Sequence, residues 1–307
     1  MDRKTFFLAF FTMIIWGSGF AAIKASILGG YSSGHLVLVR FLIASLVFLI
    51  YAILTRATFK LPHKSDILRI VILGFVGITI YHTGVTFGQQ TITAGTTAMI
   101  IGSAPIFTAL IAIFILKEKM EWFGWVGLGI GFIGITLITI GSSPGDSFVL
   151  SKGILIVIVA AISASVFFVY QKPLFRRYHP IELTAYFTWA GTIPLFFFLP
   201  GLWDNIQGAT IEANLSAIYV GVFPAAVCYA AWAIASSRGD MTKLSPMLYL
   251  EPVFAILIAW LWLNELPSNL SLLGGFIAVS SVAIVNIIGH KVRRNERKLQ
   301  INIEEND

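Results

Sequence analysis

Long apolar runs separated by short polar stretches dominate the chain. Ten are long enough to matter: 5–28, 33–54, 66–88, 91–116, 121–140, 153–170, 181–199, 214–236, 240–263 and 269–289. The hydrocarbon core of a bilayer takes about 20 apolar residues per helix. The runs are continuous and do not alternate, so they predict helices rather than the strands of a barrel wall. The expected fold class is therefore an all-α polytopic membrane protein with ten transmembrane helices.

The basic residues between the runs set an orientation. With the N-terminus inside, the inner segments carry seventeen of the 21 lysines and arginines. The outer loops carry only Lys152, and Lys24, Arg40 and Lys243 fall within runs. This positive-inside asymmetry predicts two cytoplasmic termini in the cytoplasmic membrane. The first run imitates a signal peptide, with Arg3 and Lys4 before it. Lys24 stands where a cleavage region should be small and neutral, so the run reads as a first span.

The pattern is written twice. Gly102-Ser103-Ala104-Pro105-Ile106-Phe107 and Tyr249-Leu250-Glu251-Pro252-Val253-Phe254 are proline-interrupted runs whose prolines lie 147 positions apart. The same shift carries Leu36 onto Leu183, Gly74 onto Gly221, Glu118 onto Glu265 and Gly127 onto Gly274. The predicted organisation is a five-helix repeat over 1–141, a turn-rich linker over 142–152, a second five-helix repeat over 153–290 and a charged tail over 291–307. Five spans is an odd number, so the second copy crosses the membrane in the opposite sense. Inverted repeats of this kind are a device of secondary transporters.

Composition narrows the classes further. Of 307 residues, 57% are hydrophobic and 12% charged, with a mean hydropathy of +0.85. A soluble domain carries about 25% charged residues, so this outer surface is built for lipid. The net charge of +6 lies in loops and tail and is no sign of nucleic acid. A single cysteine, Cys228, closes no intrachain disulfide. The five histidines show no metal-ligand spacing, and no phosphate-binding loop of the Gly-x-x-x-x-Gly-Lys-Ser/Thr form occurs. Trp16 stands where an intramembrane serine protease would need the first glycine of Gly-x-Ser-Gly. No enzyme activity and no cofactor are expected.

Several stretches together resemble the EamA family of the drug/metabolite transporter superfamily. They are Trp16-Gly17-Ser18-Gly19-Phe20, Val39-Arg40-Phe41, the Pro105 run ending in Lys117-Glu118, and Glu251-Pro252 with its run ending in Asn264-Glu265. The resemblance covers nearly the whole chain. It implies a ten-helix bundle around a central cavity, with spans five and ten peripheral. It also implies transport of small metabolites, often amino acids or related compounds and often outward. The second half departs at Ser163-Ala164-Ser165, which replaces Trp16-Gly17-Ser18, so no tryptophan role carries over to that half.

Within this frame Glu251 is the sharpest candidate. It sits 11 residues into its run, about 16 Å deep at 1.5 Å per residue, too deep for a short side chain to reach water. A carboxylate there either exchanges protons during transport, holds a substrate amine, or bonds across a helix interface. Pro252 and Pro105 are expected to break their helices and free the carbonyls of Leu248 and Ile101, with Ser103 and Thr97 adding hydroxyls. Arg40 either meets an anionic substrate group, pairs with Glu182 or Glu251 as a gate, or snorkels outward. Trp16 and Ser18 lie at mid-depth, as ligands or as packing. Tyr81 and His82 correspond by the 147 shift to Cys228 and Tyr229, and with Trp232 they predict an aromatic, hydrogen-bonding wall. Tyr186, Trp189 and Tyr249 are weaker members of the same group. Lys24 and Lys243 read as snorkelling. Gly124, Gly127, Gly131, Gly134, Gly274 and Gly275 read as helix-packing faces that could also serve a homodimer. The expected partners are a small-molecule substrate, the lipid bilayer and protons. The alternatives are an uncoupled facilitator and, less favoured, a membrane-embedded enzyme or lipid-handling protein.

Overall fold

The computed structural model describes residues 3–55, 59, 61–114, 122–141, 151–238, 247–248 and 250–281. Lys117, Glu118, most of the linker, Lys243, Tyr249 and the tail lie outside the described residues, as do the side chains of Pro105 and Gly124. All regular structure among the described residues is helical.

The helices are α1 (Arg3–Leu28) and α2 (Ser33–Leu54), then α3 (Lys64–Gly88). The next run is interrupted, giving α4 (Ala94–Gly102) and α5 (Ala104–Phe114). α6 (Trp122–Gly141) completes the first half. The second half holds α7 (Lys152–Arg176) and α8 (Pro180–Phe198). A short surface helix follows, α9 (Leu202–Gly208), then α10 (Ile211–Ala235), α11 (Leu250–Leu263) and α12 (Asn269–Ser281). Six of them (α1, α2, α3, α7, α8 and α10) are long and apolar enough to cross a membrane, and shorter apolar helices occupy the four remaining predicted runs. The protein is a multi-pass membrane protein. Its outward faces carry Ile53, Leu54, Leu68, Phe197, Leu261 and Phe276, all exposed, where lipid and not water is the natural neighbour.

Hydroxyl caps set the helix starts. Ser32, Thr93, Ser151 and Thr210 each accept from the backbone N–H three residues on, which satisfies a donor the helix leaves open. This is why α10 begins at Ile211 and not at 214. α9 was not anticipated, because it is a short polar stretch turned out of the loop by Gly201 at φ +76°.

Two features recur at the repeat spacing. α3 and α10 each contain a π-helical turn, Phe75–Ile80 and Phe223–Val227, just after Gly74 and Gly221. Packing recurs as well. α1 lies on α10 and α11, while α7 lies on α3, α4 and α5; α2 lies on α10, while α8 lies on α3. A Cβ at Gly74 would meet Phe187 O at 2.8 Å and Ala190 Cβ at 3.0 Å, and one at Gly221 would meet Arg40 O at 3.0 Å and Ile43 Cβ at 2.7 Å. Each residue in the second set stands 147 positions from its counterpart. The glycine faces of α6 and α12 meet each other: a Cβ at Gly134 would lie 2.6 Å from Ala278 N.

Candidate functional site

Pro105 is the second residue of α5 and Pro252 the third of α11. In a first turn proline forfeits no intrahelical bond, so Pro105 follows a break in its run directly; Tyr249, before the first described residue of α11, lies outside the described residues. The break before Pro105 lies at Ser103 (φ −88°, ψ 1°). Ser103 is fully buried, and its hydroxyl turns back to donate to Ile100 O at 2.6 Å. It caps the break and does not join the polar cluster described below. Ser165 of α7 donates to Ala104 O at 2.9 Å. Thr97, also buried, is spent on Thr93 O.

The two proline-bearing helices cross at the middle of the bundle. A Cβ at Gly102 would come within 2.6 Å of Pro252 Cγ. α1 reaches the same place through Gly17, whose absent Cβ would lie 2.9 Å from Glu251 O and from Ala255 N. Only glycine permits that approach. Its neighbours fasten the crossing: Trp16 Nε1 donates to Pro224 O, in the π turn of α10, at 3.1 Å. Ser18 shares a 2.6 Å hydrogen bond with Tyr219 Oη and donates to Ile15 O. α7 repeats the arrangement, since Ser163 donates to Val76 O, in the π turn of α3, at 2.6 Å.

Around the crossing lies a polar and aromatic cluster. Arg40 is 2% exposed, so it does not snorkel. Its guanidinium reaches Thr86 Oγ1 and His82 Nδ1, both at a long 3.4 Å, and its Nε has no partner. The Phe41 ring lies 5.6 Å from Cζ. Glu182, a suggested partner, instead accepts from Tyr186 Oη at 2.9 Å. His82 Nε2 lies 2.9 Å from Tyr229 Oη. A guanidinium can only donate, so Nδ1 is the acceptor and Nε2 carries the proton toward Tyr229. His82 also stacks obliquely on Tyr81, 4.4 Å between ring centres. Trp16 meets Tyr229 edge-on at 5.5 Å and Trp232 at 5.7 Å.

Glu251 is half-buried at the start of α11. It stands within electrostatic range of Tyr81, Tyr229 and Cys228. Arg40 is in range of the same two tyrosines. Among the sequence candidates, Arg40, Trp16, Tyr81, His82, Tyr229 and Trp232 come together, with Glu251 in reach and Ser18 alongside. Ser103 stands apart. Tyr186 and Trp189 form a separate group with Phe59 and Tyr178, and Trp189 donates to Ser45 O.

The sequence reading missed three things. Thr86 holds Arg40 and is fixed by its own bond to His82 O at 2.8 Å. Nothing in a lone threonine signals this. Lys24 does not snorkel: it is 9% exposed and donates to Gln89 O and Ile92 O at 2.7 and 3.1 Å. Two residues from equivalent positions touch directly, His82 with Tyr229 and Ser45 with Thr192, each pair 147 apart. Away from the cluster, a groove of about 540 Å³ opens on the outside between α3, α7 and the end of α8. Its walls, such as Phe75, Leu155, Val159 and Phe197, are apolar.

A multi-pass bundle with a buried cation and a carboxylate gathered where two proline-bearing helices cross has the make-up of a membrane transport protein. The sequence pattern of the EamA-like transporter family matches residues 3–140 and again 151–287, and the chain belongs to that family. It is 37% identical over 280 residues to an uncharacterized transporter, YdfC, of Bacillus subtilis, covering 91% of this chain and 90% of that protein. It is 30% identical over 275 residues to a probable terminal-alkyne amino-acid exporter of Streptantibioticus cattleyicolor, covering 90% and 91%. A probable amino-acid metabolite efflux pump of Salmonella typhimurium is 24% identical over 97% of this chain and 99% of its own. A solved crystal structure shares the fold, with a TM-score of 0.65 over 95% of this chain and 99% of that one, at 17% identity. The protein is thus a transporter and not an enzyme, with a small molecule as substrate and lipid as its surroundings.

Proposed function

We propose that the chain is a secondary transporter that exports a small metabolite, an amino acid or related compound, across the cytoplasmic membrane by alternating access. One observation carries the reading: Arg40, His82, Tyr229, Tyr81, Trp16 and Trp232 converge where the two proline-bearing helices cross, with Glu251 in reach. A buried guanidinium with an unpartnered Nε is suited to an anionic group of a substrate. Glu251 is suited to its amine or to a coupled proton. The aromatic rings of Trp16, Tyr81, Tyr229 and Trp232 suit its apolar part. The names of the amino-acid exporter and efflux-pump relatives favour the same substrate class and direction.

Ten spans in two inverted five-helix repeats make this work, over 1–141 and 153–290 with a linker at 142–152 and a cytoplasmic tail at 291–307. Support comes from the repeated contacts. Under an exchange of halves, Gly74 with Phe187 and Ala190 becomes Gly221 with Arg40 and Ile43. His82–Tyr229 and Ser45–Thr192 map onto themselves, as residues on a pseudo-two-fold axis do. The two ranges matched by the family pattern point the same way. Two halves joined about such an axis can rock, exposing the site to each side in turn. The distribution of lysine and arginine favours cytoplasmic termini. The α6 and α12 glycines already pack on each other, so a homodimer would use another surface.

The test is flux in proteoliposomes across a panel of amino acids and related metabolites under an imposed pH gradient, comparing wild type with Glu251→Gln. Accumulation against concentration by wild type and mere equilibration by the variant are expected. Equal movement by both, whatever the gradient, would make the protein a facilitator and Glu251 structural.

A further inference from the structure

At the end of the bundle that the charge pattern assigns to the outside, one ion pair joins three helix ends. Lys24 lies near the end of α1, yet it turns inward, 9% exposed. Its Nζ donates to Gln89 O at 2.7 Å and Ile92 O at 3.1 Å, the last carbonyls of α3 and its turn into α4. It also stands 3.7 Å from Glu265 Oε1. The other oxygen of Glu265 accepts from Ala94 N, at the start of α4, at 2.9 Å. Asn264 brings Glu265 there: it ends α11 at φ +52°, the left-handed conformation that asparagine tolerates best after glycine. A single lysine and a single glutamate thereby hold α1, the α3–α4 turn and the end of α11 together.

Two further observations suggest that this contact opens. The Gln89 side chain is fully buried, and neither Nε2 nor Oε1 has a hydrogen-bond partner. A buried polar group left unmet is destabilising, so the closed arrangement is held by charge and opposed by an unsatisfied amide. That is the balance a two-state element needs. The sequence is not symmetric at this pair. By the 147 shift Glu265 corresponds to Glu118 but Lys24 corresponds to Gln171, so the position equivalent to Lys24 carries no charge. The ion pair at the inner end, Arg177 with Asp66 at 3.1 Å, has its arginine side chain 65% exposed, against 11% and 21% for Lys24 and Glu265. An exposed pair holds weakly.

We propose that Lys24 and Glu265 are the outer gate of the transport path, and that their pairing makes the outward-closed, inward-loading state the resting one. The proposal rests on the transporter reading above, but its test does not need a substrate. With the native Cys228 changed to Ser, a reporter cysteine is placed by Thr97→Cys, one turn below Ala94 and fully buried in this state. Intact cells are treated from outside with a membrane-impermeant thiol reagent. Slow labelling is expected in this background. Lys24→Met and Glu265→Gln should each speed it roughly fivefold or more, because each leaves the other charge without its partner. Lys24→Arg, which keeps both the charge and donors for the Gln89 and Ile92 carbonyls, should leave labelling slow. Unchanged labelling in Lys24→Met and Glu265→Gln, with a lowered melting temperature in detergent, would overturn the gate and leave the pair a structural tie. Labelling that follows these variants in a chain that moves no metabolite would uphold the gate and count against the transport reading alone.

Discussion

The molecule has two crossings built on the same backbone plan, and they differ in chemistry. In one, α1 passes α10 and α11: Trp16 donates to Pro224 O, Gly17 packs on the backbone at Glu251, and Ser18 bonds Tyr219. In the other, α7 passes α3, α4 and α5: Ser163 donates to Val76 O, and Ser165 to Ala104 O. A side chain at the first position of each motif satisfies a carbonyl in the facing π turn. At the second crossing the hydroxyls of Ser163, Ser165 and Ser103 are all spent on backbone carbonyls, and the residue before proline is Ala104. At the first the indole leaves its ring against Tyr229 and Trp232, and the residue before proline is Glu251. The first crossing thus carries an indole and a carboxyl group at positions where the second carries Ser163 and Ala104. One crossing can then serve as a hinge while the other carries the ligand chemistry.

The largest way to break this comparison is to fill the first crossing. Gly17→Leu would push a side chain into Glu251 O and Ala255 N, both backbone atoms that cannot turn aside. Overpacking costs about 1–3 kcal/mol and more where backbone must shift. Loss of monodisperse protein in detergent is the expected result, read by size-exclusion chromatography. Next comes Arg40→Met. The buried guanidinium is poorly bonded, so replacing it with an apolar side chain of similar length should leave the melting temperature unchanged or raised. Transport of carboxylate-bearing substrates should fall about tenfold or more, as expected for a lost charge-assisted bond worth about 1.5–3 kcal/mol. The smallest effect belongs to the second crossing. Ser165→Ala removes one bond to Ala104 O and should cost about 1 kcal/mol of stability, seen as a small drop in melting temperature with no change in substrate affinity.

Much of this was legible in the sequence because the solvent is lipid. Long apolar runs, basic loops and a gap-free 147-residue shift leave few alternatives for where helices lie. The site was legible in kind: Arg40, His82, Tyr229 and Glu251 stand out because ionisable groups are costly inside a membrane. What was hidden depended on direction. Ser103 looks like a pocket hydroxyl, but turns back onto Ile100 O. Lys24 looks free to snorkel, yet unmet carbonyls at the end of α3 draw it inward. The sequence points to a break at Pro105 but not to its exact place, Ser103, because helix continuity depends on tertiary crossings that a linear pattern does not contain. At the start of α3, Tyr178 donates to Asp66 Oδ2 at 2.9 Å. Burial, joined by that bond, pushes its hydroxyl up from the usual tyrosine range, a pairing across 112 residues with no local sign.

The central claim is that Glu251, at the first crossing, couples transport to protons. The most direct test traps a pH-sensitive dye inside proteoliposomes and adds a transported metabolite outside, without an imposed gradient. The wild type should show a substrate-dependent pH change that Glu251→Gln abolishes while substrate binding to the purified variant persists. The same pH change in both proteins would contradict the account and place coupling elsewhere in the bundle.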